Sequence, residues 1–132
     1  MRGLILIALT VLWAAAAELD WVYDFDTAKE QAAKENKLIM VMISQEGCPA
    51  CDYMESVVFT SGPAVEIIQL MYVPLFVDID EGPMPKGLRP FGTPTFYFLD
   101  ANGKKIARQL VGGMKEPEFI NHIRKVKEEY TR

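Results

Sequence analysis

Continuous apolar runs predict the strands of this chain. Residues 38–43 form an unbroken apolar run with several β-branched side chains, which predicts a strand buried on both faces. Residues 72–79 predict a second strand, and Pro74 places it at or near a sheet edge because proline cannot donate to a ladder. Residues 95–99 and 104–111 flank an Asn-Gly turn, which predicts a hairpin.

Apolar positions at helical spacing predict the helices between these strands. Residues 26–36 form the first, capped by Asp24 or Asp26. A second helix begins at Pro49, is interrupted at residues 61–63 and resumes over 64–71; its apolar positions before the interruption are Ala50, Met54, Val57 and Val58. Residues 80–91 form a connection with room for one short helix. The last helix begins at Pro117, with a stripe of Phe119, Ile123, Val126 and Tyr130.

The order of these elements predicts the fold class. A strand, a helix and a second strand in succession form a parallel pair with a right-handed crossover, and the hairpin adds antiparallel strands. The expected architecture is a single α/β domain with a central mixed β-sheet flanked by helices.

The first residues have the layout of a secretory signal peptide. A basic start at Arg2 is followed by an uncharged apolar stretch that ends in Ala14–Ala17, before Glu18. We expect a leader over residues 1–17, cleavage between Ala17 and Glu18, and a folded domain over 18–132. The stretch is shorter than the roughly 20 apolar residues of a membrane-spanning helix. An uncleaved membrane anchor and a buried core helix remain the alternatives.

Composition excludes several classes of protein. Of the 132 residues, 50% are hydrophobic and 24% are charged, which is typical of a globular domain and excludes a disordered chain. A net charge of −4 gives no electrostatic reason to bind nucleic acid. The chain has only two cysteines, too few for a disulfide scaffold or a four-thiolate metal site.

Both cysteines lie in one motif, Cys48-Pro49-Ala50-Cys51. Haem attachment needs His after the second cysteine, where Asp52 stands, and zinc needs more ligands than the pair and His122 offer. A structural disulfide across so small a loop gains little. A redox dithiol remains, with Cys48 as nucleophile at a helix N-terminus and Cys51 as the resolving thiol.

The motifs together resemble those of the thioredoxin superfamily, and the resemblance covers roughly residues 20–130. They are the Cys motif after a strand, Phe91-Gly92-Thr93-Pro94 before another strand, and Val111-Gly112-Gly113 before the last helix. The resemblance implies a thioredoxin-like fold and a cis-proline at Pro94, packed against the cysteines. It also implies substrate contacts at Gly92 and Thr93 as well as Pro49 and Ala50, and no metal or cofactor beyond the Cys48–Cys51 disulfide.

Three departures from the family pattern bear on function. Gly47 stands where thioredoxins carry Trp, and Met42 stands where they carry a buried Asp that helps deprotonate the resolving cysteine. Glu46 and Asp52 flank the motif and are therefore the candidates for a proton relay through water. Few residues are left for the family's first strand, so that strand should be short or absent.

The same resemblance suggests a direction for the chemistry. Strong oxidants of the family carry His inside the motif, where Ala50 stands, and nearby Glu46, Asp52 and Glu55 should raise the pKa of the Cys48 thiol. We expect a monomeric, exported, periplasmic enzyme that reduces or isomerises disulfides of envelope proteins and is recharged by a membrane electron donor. A non-catalytic thioredoxin-like binding module and a copper-handling protein that uses Cys, Met and His122 are the alternatives.

Overall fold

A computed structural model describes residues 18–132, so the expected leader and its cleavage point lie outside the described residues. The described part is a four-stranded mixed sheet covered by helices. Its elements in chain order are α1 (Phe25–Glu35), β1 (Leu38–Ser44), α2 (Pro49–Ser56), a 3-10 turn (Val58–Thr60), α3 (Gly62–Met71), β2 (Tyr72–Asp78), β3 (Thr95–Leu99), β4 (Leu110–Val111) and α4 (Glu116–Thr131). The predicted fold class is confirmed.

Helix α1 begins where its capping residue predicts. The Asp24 carboxylate accepts the Thr27 N–H at 2.8 Å and the Thr27 hydroxyl at 2.7 Å, and these bonds lower the pKa of that carboxyl group. The helix ends at Asn36, which adopts the left-handed conformation that asparagine tolerates. Ala28 and Ala32 face the sheet and are fully buried, so this helix packs closely on the strands.

The strand order β2-β1-β3-β4 places β1 in the middle of the sheet. β1 pairs in parallel with β2 and antiparallel with β3, and every residue of β1 is buried. The prediction of a strand buried on both faces is therefore confirmed. One buried cluster lies on each face of the sheet, and the cluster that contains Met42 and Phe96 also contains Cys51.

The outer side of β2 carries almost no partner strand. Within residues 18–132, Val22 alone pairs there, donating its N–H to the Pro74 carbonyl at 2.8 Å and accepting the Phe76 N–H at 2.9 Å. The backbone N and C=O groups of residues 74 and 76 point to this outer side. The N–H that proline lacks is therefore missing from the outer side, and the ladder between β2 and β1 loses no donor. The edge position of Pro74 and the reduced first strand are both confirmed.

Four details of the predicted elements are wrong. The second arm of the hairpin is broken: Lys105 forms one bridge to Leu99, and regular pairing resumes only at Leu110–Val111. Residues 80–91 contain turns and no helix. Two positions of the predicted apolar stripes are exposed instead of buried. Val57 is exposed because α2 ends before it, and Tyr130 is exposed because it lies in the last turn of α4.

Over residues 18–132, none of the helices combines the length and the apolar character that crossing a bilayer requires.

Candidate active site

The first cysteine lies where β1 gives way to α2. Gly47 precedes it with a φ of 75°, a conformation that favours glycine, and turns the chain from the strand into the helix. Cys48 is the N-cap of α2, and its Sγ accepts the Cys51 N–H at 3.1 Å. Pro49 occupies the first turn, where a missing N–H is harmless. A thiolate on Cys48 would therefore face the positive end of the helix dipole.

The two cysteines form a disulfide and differ sharply in exposure. Their Cα atoms are 5.2 Å apart, within the usual range for a disulfide. Cys48 is half-buried at the surface, whereas Cys51 is completely buried in the core cluster beneath it. A second sulfur approaching from solvent can therefore reach Cys48 and not Cys51.

The loop before β3 closes over the Cys pair. The Thr93–Pro94 peptide bond is cis, and the Thr93 carbonyl oxygen lies 3.4 Å from Cys48 Sγ. The Pro94 carbonyl accepts the Gly112 N–H at 2.8 Å, which joins this loop to the segment after β4. The structure thus brings Thr93 and Pro94 to the first cysteine, as the resemblance implies.

Small residues allow these segments to approach one another. A Cβ built on Gly92, whose φ is 121°, would lie 3.4 Å from Val111 Cγ1, so glycine meets both the conformation and the space here. A Cβ on Gly113 would contact the Ala50 Cβ at 3.6 Å, and the Met114 N–H points at Met54 Sδ 3.4 Å away. The segment before α4 therefore packs directly on α2.

The two carboxylates predicted as a proton relay lie at the surface. Glu46 and Asp52 are both exposed, and within residues 18–132 neither side chain forms a hydrogen bond or an ion pair. Glu55, one turn after Cys51 on α2, is instead partly buried. Burial, followed by the charges of Asp52 and Asp78, raises the pKa of the Glu55 carboxyl group. Its position four residues after Cys51 is the signal that could have singled it out.

Met42, which stands where thioredoxins carry a buried Asp, has apolar surroundings. Met42 is 0% exposed and is paired with Phe76 on one side and Phe96 on the other. Nearby aromatic rings extend this environment, since Phe59 and Phe119 both pack edge-on or tilted against Phe96. Among residues 18–132, the buried polar side chains are those of Ser44 and Thr95, and neither is charged.

The core methionines and His122 make apolar and aromatic contacts. Met40, Met42 and Met54 are fully buried in the core, as expected for apolar filling. His122 packs on Phe98, with ring centroids 5.3 Å apart. Phe98 lies three residues along β3 from Thr95, or about 10 Å from the cysteine end of the sheet. Among residues 18–132, no three His, Cys, Asp or Glu side chains are grouped so that they could share a metal ion.

The raised pKa of Glu55 leads to a pH-dependent effect on stability. The fold disfavours its charged form, so the destabilisation is absent well below pH 4.5 and complete above the raised native pKa. Glu55→Gln should therefore increase the free energy of unfolding at pH 7 by a few tenths of a kcal/mol, because the group is largely solvated, and leave it unchanged at pH 3.

Urea unfolding of the two proteins at both pH values measures this difference. Asp78→Asn, which keeps the oxygen that accepts the Asp80 N–H, should reduce the gain, since Asp78 is one cause of the shift. An equal gain at both pH values would show that the charge of Glu55 is not responsible.

A helix-covered mixed sheet with a Cys-x-x-Cys pair at a helix N-terminus, next to a cis-proline, defines the class of protein disulfide oxidoreductases. Comparison with known proteins identifies the family. Residues 25–127 match the family model described as a thioredoxin-like domain. The chain belongs to this thioredoxin-like family.

Individual relatives agree with this assignment. The chain is 31% identical over 110 residues to the thiol:disulfide interchange protein DsbD of Tatumella citrea. That match covers 79% of this chain and 19% of the relative, so the chain spans about a fifth of the relative's length.

Among solved structures, a thioredoxin from Thermus thermophilus matches with a TM-score of 0.68 and 27% identity, over 83% of this chain and 87% of that one. A putative disulphide-isomerase from Bacteroides thetaiotaomicron matches with a TM-score of 0.69 and 23% identity, over 86% of this chain and 96% of that one. At that identity the second match supports the fold alone.

Proposed function

We propose that the protein reduces or isomerises disulfides of exported proteins through Cys48 as nucleophile and Cys51 as resolving thiol. The single observation that carries this proposal is the difference in exposure: Cys48 lies at the surface and Cys51 is 0% exposed. Only a surface sulfur can form a mixed disulfide with another protein, and only a neighbouring sulfur can then release it.

Each turnover moves two electrons from the dithiol to the substrate. The Cys48 thiolate attacks one substrate sulfur, the substrate S–S bond breaks, and the other substrate sulfur leaves and takes up a proton. The Cys51 thiol then gives up its proton and attacks Cys48 Sγ. The mixed disulfide breaks, the second substrate thiol is released, and the Cys48–Cys51 disulfide forms. The chemistry needs no metal and no cofactor besides this disulfide.

Thr93 and Pro94 are proposed to receive the substrate. The Thr93 carbonyl lies within 3.4 Å of Cys48 Sγ, so an extended chain that presents its sulfur to Cys48 must pass alongside this backbone. Gly92, Pro49 and Ala50 border the same place, and the first two of these are exposed. Their small side chains leave room for the incoming backbone.

The acidic residues near Cys48 along the chain argue for the reducing direction. Glu46, Asp52 and Glu55 all lie within seven residues of Cys48 along the chain and add negative charge, which disfavours a Cys48 thiolate and so favours the disulfide form. A dithiol that readily becomes a disulfide is a reductant. In an exported compartment such a reductant has to be recharged, and we propose a membrane electron donor for that step.

The location and state of the protein belong to the same proposal. The leader pattern of residues 1–17 supports export, with cleavage near Ala17 and a mature domain over 18–132 in the periplasm. The partners are proteins with thiols or disulfides, and one domain acting as a monomer is sufficient for the exchange.

Equilibration with defined ratios of reduced and oxidised glutathione tests the direction. We expect a reduction potential close to the thioredoxin value of about −270 mV or, for an isomerase, about −180 mV. A potential near −120 mV, typical of a strong oxidant, would contradict the proposed direction.

A non-catalytic binding module is the second candidate, favoured by Gly47 and Met42 at positions where the family carries catalytic-site residues. Such a module would bind partners equally well with the cysteines removed. Dithiol-dependent reduction of insulin by the parent protein, lost in Cys48→Ser, would exclude it.

A further inference from the structure

Two buried hydroxyl groups of β3 fix the segment that precedes the cis-proline. The Thr95 hydroxyl donates to the Gly92 carbonyl at 2.6 Å and accepts the Phe91 N–H at 3.0 Å. The Tyr97 hydroxyl donates to the Arg89 carbonyl at 2.8 Å and accepts the Arg89 N–H at 3.4 Å. Thr95 and Tyr97 are 0% and 1% exposed, so residues 89–92 are held against the core and do not form a loose loop.

This fixed segment presents an aromatic ring and a cation to solvent. Phe91 is 46% exposed, and the Arg89 guanidinium lies over its ring, with Cζ 4.8 Å from the centroid. Val111, 47% exposed, adjoins the segment, since its Cγ1 would lie 3.4 Å from a Cβ built on Gly92. We name Arg89, Phe91 and Val111 the Arg89 platform.

The Arg89 platform lies beside the reactive sulfur. Phe91 is two residues before Thr93, so their Cα atoms are no more than about 7 Å apart. The Thr93 carbonyl oxygen in turn lies 3.4 Å from Cys48 Sγ. Residues next to the reactive cysteine of a partner can therefore reach the platform when its sulfur engages Cys48.

The platform carries a positive charge, whereas the neighbouring residues of α2 and the end of β2 carry negative charges. Asp52 and Glu55 on α2 are acidic, as is Asp78 at the end of β2, and the charges of both aspartates act on Glu55. Within residues 18–132, no carboxylate lies within ion-pair distance of the Arg89 guanidinium. Its charge, stacked on an exposed ring, is available to an external anion.

We propose that the Arg89 platform binds an extended segment of the partner protein that carries an apolar side chain and a carboxylate near its reactive cysteine. The apolar side chain packs on Phe91 and Val111, and the carboxylate pairs with Arg89. With about 3.3 Å per extended residue, these groups lie about two and four residues from the cysteine. The inference rests on the proposed exchange at Cys48 and names its substrate class.

A set of peptide disulfides tests this preference. The probe is the disulfide-linked dimer of a nine-residue peptide with a central cysteine, Leu two residues and Glu four residues to either side, and Ser elsewhere. This symmetry makes the result independent of chain direction. Two comparison dimers carry Lys in place of Glu, or Ser in place of Leu. The reduced protein transfers two electrons to each dimer, which yields two peptide thiols and the Cys48–Cys51 disulfide, and kcat/KM is measured.

Matched variants assign the effect to the platform. Arg89→Glu should lower kcat/KM for the Glu peptide about tenfold and raise it for the Lys peptide, as expected for about 1.4 kcal/mol of ion pairing. Arg124→Glu, an equal charge change at an exposed position of α4, should alter both by less than about twofold. Phe91→Ala should lower kcat/KM about fivefold for the probe, which carries Leu, and leave kcat/KM unchanged for the comparison dimer that carries Ser in place of Leu.

The outcomes separate the two proposals. The proposed binding at the platform would be overturned if Arg89→Glu and Arg124→Glu changed kcat/KM equally. It would also be overturned if Phe91→Ala lowered kcat/KM equally for the probe with Leu and for the dimer with Ser in its place. Reduction of all three dimers at one rate by the parent protein would likewise overturn it and leave the exchange chemistry intact. If the folded parent protein reduced none of them, the proposed function itself would fail.

Discussion

Cys48→Ser should abolish the reduction of insulin disulfides, with a loss in kcat/KM of more than about 1,000-fold. A serine hydroxyl cannot form a mixed disulfide, and Cys51, which is 0% exposed, cannot take over the attack. The turbidity of insulin in the presence of dithiothreitol measures the rate. The change should leave the fold intact, because Cys48 is only half-buried and serine can also cap α2.

Cys51→Ser provides the matched comparison, since it removes the other sulfur of the same pair. It should also lose turnover, but it should form a stable mixed disulfide through Cys48, visible as a mass increase that dithiothreitol reverses. A Cys48→Ser protein that accumulates the same adduct at Cys51 would contradict the assigned roles.

Met42→Asp should destabilise the oxidised protein by about 3–5 kcal/mol at pH 8. The side chain is 0% exposed between Phe76 and Phe96, so a carboxylate there would be charged without a partner. Its native pKa would be raised above the usual value of about 3.9, so the charge is the destabilising form. The variant should therefore lose stability as the pH rises from about 4, and be least destabilised in acid.

Two substitutions at the same position separate charge from shape. Met42→Leu keeps the volume and should cost less than about 1.5 kcal/mol, and Met42→Asn should destabilise to an extent that does not depend on pH. Guanidinium unfolding at pH 5 and pH 8 compares all three. A Met42→Asp protein no less stable than Met42→Leu would mean that a charged partner reaches this position, contrary to its apolar surroundings between Phe76 and Phe96.

Most of the fold could be predicted from short sequence patterns, because burial of apolar side chains and the missing N–H of proline restrict where each segment can lie. The apolar run of β1 can only be buried on both faces, and Pro74 lacks the donor that an inner ladder would need. The broken hairpin arm was not predictable in this way. Residues 107–109 leave the ladder although the turn that precedes them is a strong hairpin signal, so the turn fixes the register only near itself.

The candidate site was predictable as a list of residues and less so as an arrangement. The Cys motif and the Thr93-Pro94 pair are continuous in sequence, so their spacing carries the information. The exposure of Glu46 and Asp52, by contrast, depends on how the chain packs around α2. The raised pKa of Glu55 depends first on its burial and then on the charges of Asp52 and of Asp78 at the end of β2. The contacts of Thr95 and Tyr97 with residues 89–92 likewise appear only once β3 is placed.

Alkylation of the reduced protein tests the central claim most directly. If the surface sulfur attacks and the buried one resolves, brief treatment with iodoacetamide followed by peptide mass spectrometry should find the label on Cys48 and almost none on Cys51. Full labelling of both should require unfolding. Labelling of Cys51 first, or of both at the same rate in the folded protein, would contradict the division of roles on which the proposed function depends.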